Sequence, residues 1–121
     1  MNVSVITKSH VSPEALDALA RELPAVLSEL LEVPGGYMAL LKPEQVSLEF
    51  LQASVRDVGS DVRIKVLSST NEPRLSSKQG LARGILEKVV ALFSELGEEY
   101  SVDIRLYLVE IGVAEHSAGG Q

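Results

Sequence analysis

The chain has 121 residues, a formal net charge of −6 and a pI near 4.9, with 45% hydrophobic and 23% charged residues, which suits one globular domain and excludes the disordered class. The acidic balance repels phosphate backbones, and with aromatics at only 4% and no Trp there is little to stack bases on, so no nucleic acid partner is expected. Charges interrupt every apolar run and cysteine is absent, so no membrane span, secretory leader, disulfide, thiolate catalysis or cysteine zinc site is expected, and the cytoplasm is the expected location.

In chain order, NVSVIT from Asn2 reads as a short strand of near-alternating pattern. Ser12, Pro13 and Glu14 then form a helix start: a capping hydroxyl, a proline at the first helical position and a carboxylate in the first turn. Leu16, Leu19, Leu23, Val26, Leu27 and Leu30 recur at helical spacing, with Pro24 expected to kink or split the helix, and Pro34-Gly35-Gly36 ends it. YMALLK and, after Pro43, VSLEF read as two short strands. GSD at 59–61 is a turn and VRIKVLSS a strand. The loop STNEPRLSS, whose Arg74 and Lys78 offer an anion site or a solvated cap, leads to a second helix from about Ser77 to Leu96. Its stripe is Leu81 or Ala82, Ile85, Val89, Leu92, Phe93 and Leu96, and Gly97 stops it. VDIRLYLVEI is the last strand. Residues 1–111 therefore form one domain, and 112–121 a mobile C-terminal tail.

The halves echo one another. A shift of 66 residues lays Leu16, Leu19, Leu23, Val26, Leu27 and Leu30 on Ala82, Ile85, Val89, Leu92, Phe93 and Leu96. Strand-helix-strand occurs twice, and right-handed crossovers would place both helices on one face of an α/β two-layer sandwich. A ferredoxin-like sandwich, as a regulatory or binding module, shares this order of elements.

Strand parity separates two faces. Val3, Val5, Val62, Ile64, Val66, Ile104, Leu106 and Leu108 can point to the helices. Asn2, Ser4, Arg63, Lys65, Leu67, Asp103, Arg105 and Tyr107 then share the other face, where cations recur despite the negative total. That face is either a solvated outer surface or a place where subunits pack around an axis.

The strand at residue 2, GYMALLKPEQVSLEF, RIKVLSS and the close after SELGEEY resemble the tautomerase superfamily, in its macrophage migration inhibitory factor-like branch with two βαβ units per chain. The resemblance spans residues 1–111. It implies a homotrimer with a sheet-lined barrel and sites between subunits, and keto–enol proton transfer on a small α-keto or unsaturated acid. In that family an N-terminal proline is the base, and nearby cations hold the substrate carboxylate. Carried over by position, the proline falls on Asn2, the neighbouring-subunit residues on Arg105 and Tyr107, and the third-strand wall on Val66 and Leu67, with Lys65 of matching parity.

The departure lies at the base. An amide is neither acid nor base near neutrality. The family's lysine at the first helix end is here Val33. Asn2 also disfavours removal of Met1, whose primary amine would stand about 3.3 Å further along the strand and could act as base or Schiff-base former. The expected function is a tautomerase-fold protein without the proline base, binding a small carboxylate. The alternative is a tautomerase-like enzyme using another proton carrier. No cofactor or metal is expected: His10 and His116 are far apart, and Glu44 and Glu98-Glu99 form no catalytic pair.

Overall fold

The computed structural model describes residues 1–31 and 46–118. Their elements are β1 (Asn2–Thr7), α1 (Pro13–Leu31), β2 (Ser47–Gln52), β3 (Val62–Ser69), α2 (Glu72–Glu95) and β4 (Val102–Val109). The predicted strand YMALLK, with Val33, Pro34-Gly35-Gly36 and Glu44, lies outside the described residues, and 110–118 carry no helix or strand.

α1 begins where the capping signal put it, with Ser12 Oγ accepting the Ala15 N–H at 3.0 Å. Pro24 does not split it: one helix runs through to Leu31. An interior proline costs about 3 kcal/mol, whereas Leu19, Leu23, Leu27 and Leu31, all at most 1% exposed, contribute about 1.5–3 kcal/mol each on burial. Packing outweighs the lost hydrogen bond.

α2 starts five residues before the position expected from periodicity, at Glu72 and not Ser77. Asn71 Oδ1 accepts the Arg74 N–H at 2.9 Å, and Pro73 sits in the first turn, where no backbone donor is needed. Most of the supposed loop STNEPRLSS is thus helix. At the other end Gly97 takes φ 72°, and the Gly97 and Glu98 N–H groups donate to Ser94 O and Phe93 O, each at 3.0 Å.

The sheet order is β2-β1-β3-β4, with β1 parallel to β2, β3 parallel to β4, and β1 antiparallel to β3. Each helix therefore joins two neighbouring parallel strands. This corrects the ferredoxin-like alternative, whose split βαβ units place another strand between the two. Val3, Val5, Val62, Ile64 and Val66 pack from the sheet against Leu19, Leu23, Leu27, Ile85, Val89 and Phe93 in one core. The internal echo holds for Leu19/Ile85, Leu23/Val89 and Leu27/Phe93, all buried, and fails at Leu96, which is 40% exposed.

Arg74 ties the two units together. It is 7% exposed, and its guanidinium donates to the carbonyls of Leu31 and Ser69 at 2.9 and 3.0 Å and to Ser68 Oγ at 3.3 Å. Burial lowers its pKa. The anion site suggested for Arg74 is thereby corrected, because the side chain is engaged inside the fold.

Candidate functional site

With both helices packed on one face, the alternate residues of the four strands line the other. The strand registers arrange them in rows. One row runs Ser47, Asn2, Leu67, Tyr107; the next Glu49, Ser4, Lys65, Arg105; the third Leu51, Ile6, Arg63, Asp103. Asn2, Lys65, Leu67, Arg105 and Tyr107, singled out from parity and resemblance, therefore fall in two adjacent rows. Val66 does not join them: it is 0% exposed and packs in the core. Only its backbone can contribute to the outer face. Met1 accepts the Ser47 N–H at its carbonyl, 2.9 Å away, which ties the start of β1 to β2.

Lys65 and Arg105 are directly paired across the parallel strands. Arg105 Nε donates to Asp103 Oδ2 at 3.1 Å, two residues back on the same face. Lys65 is exposed and has no partner among the described residues. Beside them Leu67 is 38% and Tyr107 46% exposed. In the third row Arg63 turns toward the 54–61 loop, its Nη2 3.5 Å from Asp57 Oδ2.

β2, not among the strands whose faces parity assigned, also turns residues to this side: Ser47, Glu49 and Leu51. A cleft of about 260 Å³ is lined by Asn2, Val3, Ser47, Leu48 and Glu49. Ser4 Oγ donates to Glu49 Oε1 at 2.5 Å. Alternation in SLEFLQ carries the same period-2 signal as the other strands and would have found them. A second cleft, of about 380 Å³, runs between α2 and β4, the edge strand of the described sheet, with Lys78, Gln79, Asp103 and Arg105 in its wall. Two strand spacings of about 4.8 Å put β1 and β4 roughly 10 Å apart, so Arg105 cannot close over the Asn2 cleft of its own chain.

At the far end of the sheet His10 Nε2 lies 3.2 Å from Asp61 Oδ1, and Tyr100 donates to Glu98 Oε1 at 2.5 Å. No group of three or more metal-ligating side chains occurs among the described residues, and no helix there is long and apolar enough to cross a membrane.

Two adjacent βαβ units, meeting at antiparallel central strands with one face that no described helix covers, define this α/β class. The chain has the fold of the tautomerase superfamily. No protein-family model and no curated protein match it. Solved structures do. It resembles a fused 4-OT described as a symmetric trimer (18% identity, TM-score 0.65, covering 94% of this chain and 92% of that one). It also resembles a malonate semialdehyde decarboxylase inhibited by 3-bromopropiolate (16%, TM-score 0.65, 100% and 92%). A macrophage migration inhibitory factor-like protein from Entamoeba histolytica matches at 12% identity and TM-score 0.57, over 90% and 88% of the chains.

Proposed function

We propose that this protein is a tautomerase-fold homotrimer that lacks the N-terminal proline base and binds a small carboxylate in pockets between subunits. The observation that carries this reading is the direct pairing of Lys65 with Arg105 on a sheet face that no described helix covers, in a chain of net charge −6. Like charges opposite one another destabilise a sheet, and Asp103 balances only one of them. An anion seated there relieves the repulsion. The planar guanidinium keeps terminal donors for a carboxylate, and Tyr107, next along β4, has a hydroxyl that can donate. The trimeric fused 4-OT supports the assembly, and the inhibited decarboxylase supports a small acid as ligand. Asn2 stands where the resemblance expects proline, which argues for binding without the usual proton transfer. The cysteine-free composition suits the cytoplasm.

A second reading, an active tautomerase or isomerase, is favoured by Glu49, a carboxylate in the same cleft as Asn2. It or the Met1 amine would carry the proton in place of proline.

One experiment separates them. Thermal unfolding is followed with phenylpyruvate, and ketonisation of the enolised acid is assayed with the wild type, Asn2→Pro and Arg105→Ala. Binding without catalysis predicts a raised Tm, about tenfold weaker binding in Arg105→Ala, and ketonisation only by Asn2→Pro. Ketonisation by the wild type that disappears in Arg105→Ala would establish the enzyme instead. If neither phenylpyruvate nor pyruvate raises Tm and ketonisation stays at the buffer rate, the carboxylate site is wrong.

A further inference from the structure

The row Glu49, Ser4, Lys65, Arg105 crosses the whole sheet with a carboxylate at one edge and adjacent cations at the other. Three spacings of about 4.8 Å place its ends roughly 14 Å apart. Each end is also held in place locally, Glu49 by the Ser4 hydroxyl at 2.5 Å and Arg105 by Asp103 at 3.1 Å. The two ends cannot satisfy one another within one chain.

Both ends lie on edge strands of the described sheet, and open edges invite pairing with another chain. The same face exposes Leu51 at 50% and Tyr107 at 46%, and both row ends line clefts, Glu49 the one beside Asn2 and Arg105 the one along β4. The acidic end of this row on one subunit and its basic end on another are complementary head to tail, the arrangement that closes a ring when the rotation permits.

We infer that Glu49 of one copy forms an ion pair with Arg105 of the next, and that this pair carries the arginine into the cleft beside Asn2. The inference rests on the trimer reading and adds the contact that orients its pocket. Arg105 bonds Asp103 through Nε, which leaves the terminal nitrogens for the partner subunit's Glu49 and for a ligand carboxylate. Glu49 is thus a positioning residue. It fixes where the guanidinium stands and sets the acidic limit of the pocket.

Charge reversal tests the pair. Light scattering and dilution-dependent sedimentation are measured for Glu49→Arg, Arg105→Glu and the double variant. Each single change should raise the dissociation concentration of the trimer at least tenfold, and the double should restore most of it. The wild-type assembly should loosen as salt rises. Because the chain has no cysteine, Glu49→Cys combined with Arg105→Cys gives an independent readout with a short bifunctional thiol reagent. A direct disulfide needs Cα atoms within about 7 Å, closer than a glutamate–arginine pair requires. Covalent trimers are expected from the double variant and none from either single one. A trimer that tolerates both reversals additively and does not cross-link overturns the pairing and leaves the assembly standing. A wild-type monomer at all concentrations overturns both.

Discussion

Arg74 Nε donates to the Leu31 carbonyl at 2.9 Å, so the first turn of α2 is fastened to the last turn of α1 across 43 residues of sequence. The bond satisfies a helix-end carbonyl that has no partner within α1. Replacing Arg74 by Met keeps the stem and removes the donors. The carbonyls of Leu31 and Ser69 and the Ser68 hydroxyl then lose their partner. Each buried polar group left unmet costs about 1–3 kcal/mol, offset in part because a desolvated charge is also removed. Urea unfolding should show a net loss of about 2–4 kcal/mol. A loss below about 0.5 kcal/mol would mean that burying the cation costs as much as its bonds return.

Leucines near the C-terminal ends of the two helices should respond unequally to truncation. Leu27 is 0% exposed and Leu96 40%. Leu27→Ala should lose about 2–5 kcal/mol through transfer and cavity terms. Leu96→Ala, which opens no cavity, should lose less than about 1 kcal/mol. Denaturant midpoints at constant m-value decide it, and similar losses would place Leu96 in an interface not visible in one chain.

Gly97 holds φ 72° at the close of α2. Apart from its chain neighbours, no atom of the described residues stands within 4 Å of where a Cβ would go, so backbone strain is what opposes substitution. Gly97→Ala should cost about 1–2 kcal/mol, and Gly97→Asn less, since Asn tolerates that region. Equal losses for both variants would point to side-chain clashes in place of backbone strain.

Asp61 makes part of the stability acid-sensitive. Its Oδ2 accepts the Ser101 N–H at 3.0 Å, which is the main influence lowering its carboxyl below the ordinary 3.8; partial burial opposes this, and the Ser101 side chain, His10 and Lys8 add to the lowering. A depressed carboxyl stabilises fully above its unfolded pKa, and the gain is lost as pH falls through the folded value. The stability advantage of wild type over Asp61→Asn should hold from pH 7 to about pH 5 and shrink below about pH 4. A gap that stays constant down to pH 2 would assign the effect to Asn geometry and not to charge.

How much of this was legible in the sequence differs by element. Ser12-Pro13-Glu14 marked the start of α1 because capping is local: the hydroxyl and the N–H it serves are three residues apart. The strand faces were legible from alternation, which returned Val3, Val5, Val62 and Ile64 to the core and Lys65, Leu67, Arg105 and Tyr107 to the other side. The start of α2 was missed because Asn71 is as good a turn residue as a cap, and four polar residues and a glycine, Ser76 to Gly80, precede the apolar stripe. Pro24 does not split α1, one of the two outcomes expected of it, because its cost is local while the burial that offsets it is not. The outward face of Glu49 was legible from the alternation of SLEFLQ, but its place in a row with Ser4, Lys65 and Arg105 was not, because register across strands leaves no trace along the chain.

By itself, then, the sequence determined the α/β class, the two strand-helix-strand units and the faces of the strands, since each depends on periodicity and on contacts between near neighbours. The tertiary structure decided the rest. Adjacency of β1 with β2 and of β3 with β4 set the fold apart from the split ferredoxin-like alternative. The registers put Lys65 against Arg105 and Glu49 at the far end of their row. Arg74 moved from a surface loop to the junction of the two units. All of these are long-range pairings. Their energies come from backbone hydrogen bonds and buried groups whose partners are 40 or more residues away, so no local window contains both members.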